Sequence, residues 1–211
     1  MKNRSNEKPI SIHPTPKQHI VVFFGDIIGF THWTKSRLYS YENFHKKVLE
    51  IYQPFLPFII KDGYFVKLMG DGLIVVVELT ADKKENSQKI VKLIVEAKEA
   101  LARITSIVNN MSFPRPLGFR IRMVAGDVSR ITIMSGKRMV IDYVGEAMNT
   151  AKNLLNVHPS IPFMAHETIK ELIDFNLHPN VIPRKLKVRK GFYKGIDQED
   201  LAALWTFDIG S

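Results

Sequence analysis

Residues 82 to 110, DKKENSQKIVKLIVEAKEALARITSIVNN, constrain the fold more than any other stretch of this chain. Ile90, Leu93, Ile94, Ala97, Leu101, Ile104 and Val108 recur every three or four residues, so they share one helical face, with lysines and acids opposite. A strongly apolar strand, LIVVVEL, precedes it, joined through the turn Gly70-Asp71-Gly72 to a strand after Asp62-Gly63. Those two strands read as a hairpin.

Upstream, HIVVFFGDI from His19 has too little polar alternation for a half-exposed strand and reads as a buried one. From Ser40, the spacing of Phe44, Val48, Ile51 and Phe55 predicts an amphipathic helix, with Ser40 and Asn43 as candidate caps and Pro54 and Pro57 bending or ending it. Downstream of the loop SFPRPLG come a strand FRIRMVAGDV, two strands around Ser135-Gly136, and helical spacing in EAMNTAKNLLN. A short helix HETIKELIDF and terminal strands in KLKVRKGFYKG and LAALWTFDI complete the chain. The order β-α-β-β-α-β is the ferredoxin-like pattern of an α+β fold, with additions at the C-terminal end.

Composition narrows the class. A chain of 211 residues with 45% apolar and 24% charged residues is long enough to bury a core and favours one domain with extensions. The net charge of +9 suits a polyanionic partner or plain solubility. With no cysteine, disulfides and thiolate metal sites are excluded. Residues 1–18 are polar, basic and proline-containing; they read as a flexible arm without an apolar signal segment, followed by a domain over 19–211. No apolar run approaches the roughly 20 residues of a spanning helix, so a cytoplasmic protein with no membrane insertion is expected.

Asp26 closes the first strand, and Asp71 sits in the Gly-Asp-Gly turn of the neighbouring hairpin. Two carboxylates at one end of a sheet make a site for hard divalent cations, with positions left open for substrate phosphates. Either aspartate alone is equally explained by turn dihedrals that Asp and Gly tolerate. Gly29 lets backbone N–H groups approach a ligand at the start of a helix, although a plain strand-to-helix turn would also place glycine there.

Taken together, FFGDIIGFT, FVKLMGDG and IDYVGEAMNTAKNL resemble the class III nucleotidyl cyclase catalytic domain, and the resemblance runs from about His19 to about Phe207. It implies that Asp26, Asp71 and the Ile27 carbonyl hold two ions, Mg2+ or Mn2+, and that Ile28, Gly29, Phe30 and Thr31 wrap the triphosphate. It implies in-line attack of the ribose 3′ oxygen on the α-phosphorus. Lys67 and Asp142 fall on the base-reading positions. A lysine donates to a ring nitrogen and an aspartate accepts from an exocyclic amine, which favours ATP or CTP over GTP or UTP. A plain ion pair is the competing explanation for those two residues.

The resemblance also gives Asn149 as the ribose-orienting asparagine. Asn153 stands where the family has a transition-state arginine, a change expected to slow the reaction by about ten- to a hundredfold. Lys194 or Lys190 fits the triphosphate-binding lysine, and Asp127 replaces a phosphate-binding arginine of some relatives. Because the family assembles each site from two domains packed head to tail, a homodimer with nucleoside triphosphate as substrate is implied, and no nucleic-acid partner. With no apolar spanning run, no room expected for a sensor domain and an altered arginine position, the chain also resembles the stand-alone pyrimidine cyclases of bacterial anti-phage defence, which make cyclic CMP or cyclic UMP. A non-catalytic cyclase-like module is the further alternative, and a nucleic-acid-binding ferredoxin-like domain ranks last.

Overall fold

In the computed structural model, which describes residues 10–36, 40–61, 63–135, 137–158, 160–188, 193 and 196–210, the first apolar run becomes β2 (Gln18–Ile28). Successive side chains of a strand point to opposite faces, and both faces of β2 are covered. Val21, Phe23 and Ile27 enter one core, while Ile20, Val22 and Phe24 enter another. This two-sided burial is why the strand lacks polar alternation.

After β2 come α1 (Phe30–Lys35), α2 (Tyr41–Tyr52), a 3-10 turn Gln53–Phe55 and α3 (Leu56–Ile59). Ser40 caps α2 by accepting from the Asn43 N–H at 3.4 Å, and the helix ends just before Pro54, as the sequence predicts. The hairpin β3 (Tyr64–Leu68) and β4 (Gly72–Glu78) leads into α4 (Lys83–Asn109), where Asp82 accepts from the N–H groups of Lys84 and Glu85 at 2.8 and 3.1 Å. The predicted apolar face of α4 is buried along its length against the first core, together with Ile51, Phe55 and Phe58.

β5 (Gly118–Ser135) completes the βαββαβ unit, and the strands lie side by side as β3-β4-β2-β5, each antiparallel to its neighbour. That is the expected ferredoxin-like α+β arrangement. Beyond it are β6 (Arg138–Val144), α5 (Glu146–Leu154), β7 (Phe163–His166), α6 (Glu167–Glu171), β8 (Val181–Lys185), α7 (Gln198–Ala202) and β9 (Leu204–Ile209). β7, parallel to β5, extends the sheet through β9 to β8. α5 lies on the second core with Met164, Leu201 and Leu204.

Four expectations change. Ile10–Pro14, expected within the flexible arm, forms β1, antiparallel to the outer half of β5 from Ile10 opposite Ser135 to Pro14 opposite Ile131. Its hydrogen bonds come from residues more than a hundred positions away, which no local pattern announces; residues 1–9 lie outside the described residues. FRIRMVAGDV and the first of the two strands expected around Ser135-Gly136 are one strand, β5, because its partner changes from β2 at Val128 to β6 at Ser129 without a break. Of KLKVRKGFYKG only residues 185–188 and 193 are described, and among these only Lys185 is in a strand, β8 (Val181–Lys185), where Pro183 is tolerated because β8 is an edge. LAALWTFDI is a strand only from Leu204, since Gln198–Ala202 forms α7 behind Asp197. No helix among the described residues is long and apolar enough to cross a membrane.

Candidate active site

Asp26 lies two residues along β2 from Phe24, on the α5 side of the sheet, with Gly72 and Arg120 as its register partners on either side. Asp71 is brought against it by the missing side chain of Gly72. A Cβ there would stand 2.6 Å from the Gly25 carbonyl, so only glycine lets β4 start this close to β2. The Ile27 N–H donates to the Asp71 carbonyl at 2.8 Å, and the turn closes through Asp71 N–H to the Met69 carbonyl at 2.9 Å, with Gly70 left-handed at φ 75°. Tyr52 of α2 donates its hydroxyl to the Gly70 carbonyl at 2.9 Å. Burial, then the charges of Asp71 and Asp26, push the Tyr52 phenol well above its ordinary range, so it stays a donor.

Arg120 sets the electrostatics. Its Nε and Nη2 both donate to Oδ2 of Asp26, at 2.9 and 2.5 Å, and both side chains are 16% exposed. Burial raises the pKa of Asp26 above the usual carboxylate value, Arg120 opposes this, and Asp71 adds to it. Two adjacent carboxylates, one of them desolvated beyond what its arginine offsets, fit a hard divalent cation better than a further hydrogen bond. Asp26, Asp71 and the Ile27 carbonyl are the oxygen donors that would hold it. Arg120 went unnoticed in the sequence, where the alternation of FRIRMV, two arginines on the same face of a strand, was the available signal.

Next to the aspartates, Gly29 turns the chain left-handed at φ 79° into α1, with its carbonyl accepting from the Trp33 N–H at 2.9 Å. The Ile28 carbonyl is held by the Leu117 N–H at 2.8 Å. Phe30 and Thr31 therefore open the helix with first-turn N–H groups that lack intrahelical acceptors.

Lys67 and Asp142, distant in sequence, meet: Nζ lies 3.1 Å from Oδ2, and the side chains are 45% and 46% exposed. Lys67 pairs in register with Ile74, which places it on the α5 side of the sheet with Asp26. The rings of Phe65 and Tyr143 pack beside this pair with centroids 5.1 Å apart, and the Tyr143 hydroxyl donates to Glu78 at 2.8 Å. Asn149 is exposed on α5 and Asn153 half-buried one turn further on. Asp127 stands at the other end of β2, opposite His19, and pairs with Lys17 at 2.5 Å and His19 at 2.8 Å. Lys190 and Lys194 lie outside the described residues.

Solved structures share the fold over nearly the whole chain. The adenylyl cyclase CyaB from P. aeruginosa is 15% identical with a TM-score of 0.65, covering 94% of this chain and 96% of its own. A bacterial light-regulated adenylyl cyclase is 17% identical with a TM-score of 0.64, covering 91% of each chain. The guanylate cyclase domain of RhGC from Catenaria anguillulae, solved with GTP, is 13% identical with a TM-score of 0.60, covering 93% of this chain and 99% of its own. The search of curated proteins finds no match. Residues 12–161 match the model of the adenylate and guanylate cyclase catalytic domain, and the chain belongs to that family as a class III nucleotidyl cyclase.

Proposed function

We propose that two copies of this chain, packed head to tail, convert a nucleoside triphosphate to a 3′,5′-cyclic nucleotide and pyrophosphate, with ATP or CTP as the preferred substrate. The observation that carries the reading is the abutment of Asp26 and Asp71 through the Gly25–Gly72 contact. When bound by Asp26, Asp71 and the Ile27 carbonyl, two divalent ions, Mg2+ or Mn2+, supply Lewis acidity toward the ribose hydroxyl and the triphosphate.

The chain's own groups do the rest. Arg120 orients Asp26 and favours its ionised form. Ile28, Gly29, Phe30 and Thr31 offer backbone N–H groups to phosphate oxygens. Lys67 Nζ donates to the ring nitrogen of adenine or cytosine, and Asp142 accepts from the neighbouring amine; guanine and uracil present the opposite pattern of ring N–H and carbonyl. Asn149 of the second copy orients the ribose so that its 3′ oxygen forms a bond to the α-phosphorus while the bond to pyrophosphate breaks. An uncovered apolar groove of about 430 Å³ lined by Leu49, Tyr52, Leu56, Ile59 and Leu68, beside the Asp71 turn, supports the pairing of copies.

Mass spectrometry of products after separate incubation with ATP, CTP, UTP and GTP, in magnesium or manganese, tests the reading. Cyclic AMP or cyclic CMP is expected. Cyclic GMP or cyclic UMP as the main product would overturn the roles of Lys67 and Asp142, and no cyclic product would overturn the proposal.

A further inference from the structure

Arg122 is completely buried, and its hydrogen bonds among the described residues all run to main-chain carbonyls. Nε donates to Leu154 at 2.9 Å, Nη1 to Ile121 and Ile161, each at 2.9 Å, and Nη2 to Val157 and His158 at 3.0 and 3.1 Å. A guanidinium has five N–H donors in a fixed plane, and here every one is used. Four of the acceptors belong to one stretch: Leu154 ends α5, Val157 and His158 form the turn after it, and Ile161 leads toward β7. The last carbonyls of a helix lack intrahelical donors and form the negative end of its dipole, so the guanidinium there is satisfied, and the dipole and Asp26 oppose the burial and the neighbouring Arg120 charge that lower its pKa to about 9. His158 adopts a left-handed φ of 40°, a conformation rare for a side-chain-bearing residue, at one of the carbonyls Arg122 binds.

Arg122 lies on β5 two residues from Arg120, on the same face. One arginine grips Asp26, and the next grips the end of the helix that carries Asn149 and Asn153. The other end of that helix sits tightly on the sheet, where a Cβ at Gly126 would come 3.1 Å from the Cβ of Ala147. We propose that Arg122 is a positioning residue for the cyclase reaction, locking α5 in its axial setting on β5 so that Asn149 meets the ribose of the neighbouring site. The inference rests on the cyclase reading above. Reaction rates are sensitive to displacements of about 1 Å in such groups, on the order of a hundredfold.

Arg122→Lys tests it, since an ammonium offers three donors on a flexible stem to five fixed acceptors. The comparison is Leu204→Ala, which lowers stability from the same core. For Arg122→Lys we expect kcat to fall about ten- to a hundredfold while KM and the Mn2+ affinity, read by electron paramagnetic resonance, stay within about threefold. Leu204→Ala should keep kcat within about twofold at a comparable loss of thermal midpoint. Equal kcat in the two variants would overturn the proposal in favour of simple stabilisation. Should Arg122→Lys not fold, amide exchange in the wild-type chain decides. Residues 151–155 should exchange as slowly as residues 121–125 of β5, and exchange about a hundredfold faster would remove the anchor. A wild-type chain that exchanges slowly but forms no cyclic nucleotide overturns the functional reading, whereas rapid exchange in an active chain overturns the anchor alone.

Discussion

Arg120 places both Nε and Nη2 on a single oxygen of Asp26, Oδ2, at 2.9 and 2.5 Å. The pairing turns the carboxylate from the side of β5 and yet does not fully offset its burial, since the pKa of Asp26 remains above the usual carboxylate value. Tyr52 and Arg122 face the same neighbourhood, and Asp71 adds like charge. A carboxyl whose folded pKa is raised contributes stability that is fully present below the unfolded value of 3.8 and lost as pH rises through the folded value. At neutral pH the ionised Asp26 is therefore a net burden on the fold. In chelator at pH 7, Asp26→Asn should unfold at a higher temperature than the wild type, by about 2–4 °C for each kcal/mol relieved in a chain of this size. The advantage should shrink as pH falls toward 4, while turnover with metal and substrate is lost. Thermal unfolding from pH 4 to 7 checks this. A lower midpoint for the variant at pH 7 would show that the Arg120 pairing outweighs burial.

The pair Lys67 and Asp142 has two explanations that different measurements separate. Both side chains are nearly half exposed, so as an ion pair it stabilises the fold by only about 0–1 kcal/mol. As a base reader, Lys67 makes a charged hydrogen bond of about 1.5–3 kcal/mol to the substrate. Lys67→Met should leave the thermal midpoint nearly unchanged and reduce kcat/KM for the preferred nucleotide about ten- to a hundredfold, with little effect on GTP. Unchanged discrimination among the four nucleotides would leave only the ion pair.

Gly72 is required by the contact it makes. The nearest atom to a Cβ at this position is the Gly25 carbonyl oxygen at 2.6 Å, a backbone atom that moves only with the strand. Gly72→Ala should push β4 from β2 at the end that holds Asp26 and Asp71, destabilise the fold by about 1–3 kcal/mol, and weaken Mn2+ binding. At Gly63 a Cβ meets nothing within 4 Å, although φ is +81°. Gly63→Ala should therefore show a strain effect of about 1 kcal/mol with Mn2+ affinity intact. Equal Mn2+ affinity in wild type and Gly72→Ala, by isothermal titration, would count against the role given to this contact.

The sequence by itself determined α4, the β3–β4 hairpin, the Asp71 turn and the βαββαβ order, because helical spacing, turn dihedrals and buried runs are local properties of the chain. It also marked Asp26, Lys67, Asp142 and Asn149 through their motifs. The tertiary structure alone decided that Ile10–Pro14 is a strand, that β5 continues through Val128 into a second pairing, and that Arg120 and Arg122 point at Asp26 and at the end of α5. The physical reason is the same in each case. A strand exists only when a distant edge completes its hydrogen bonds, and Arg120 can be partly buried and Arg122 fully buried only because the folded chain brings an acceptor 94 residues away to the first and one 32 residues away to the second.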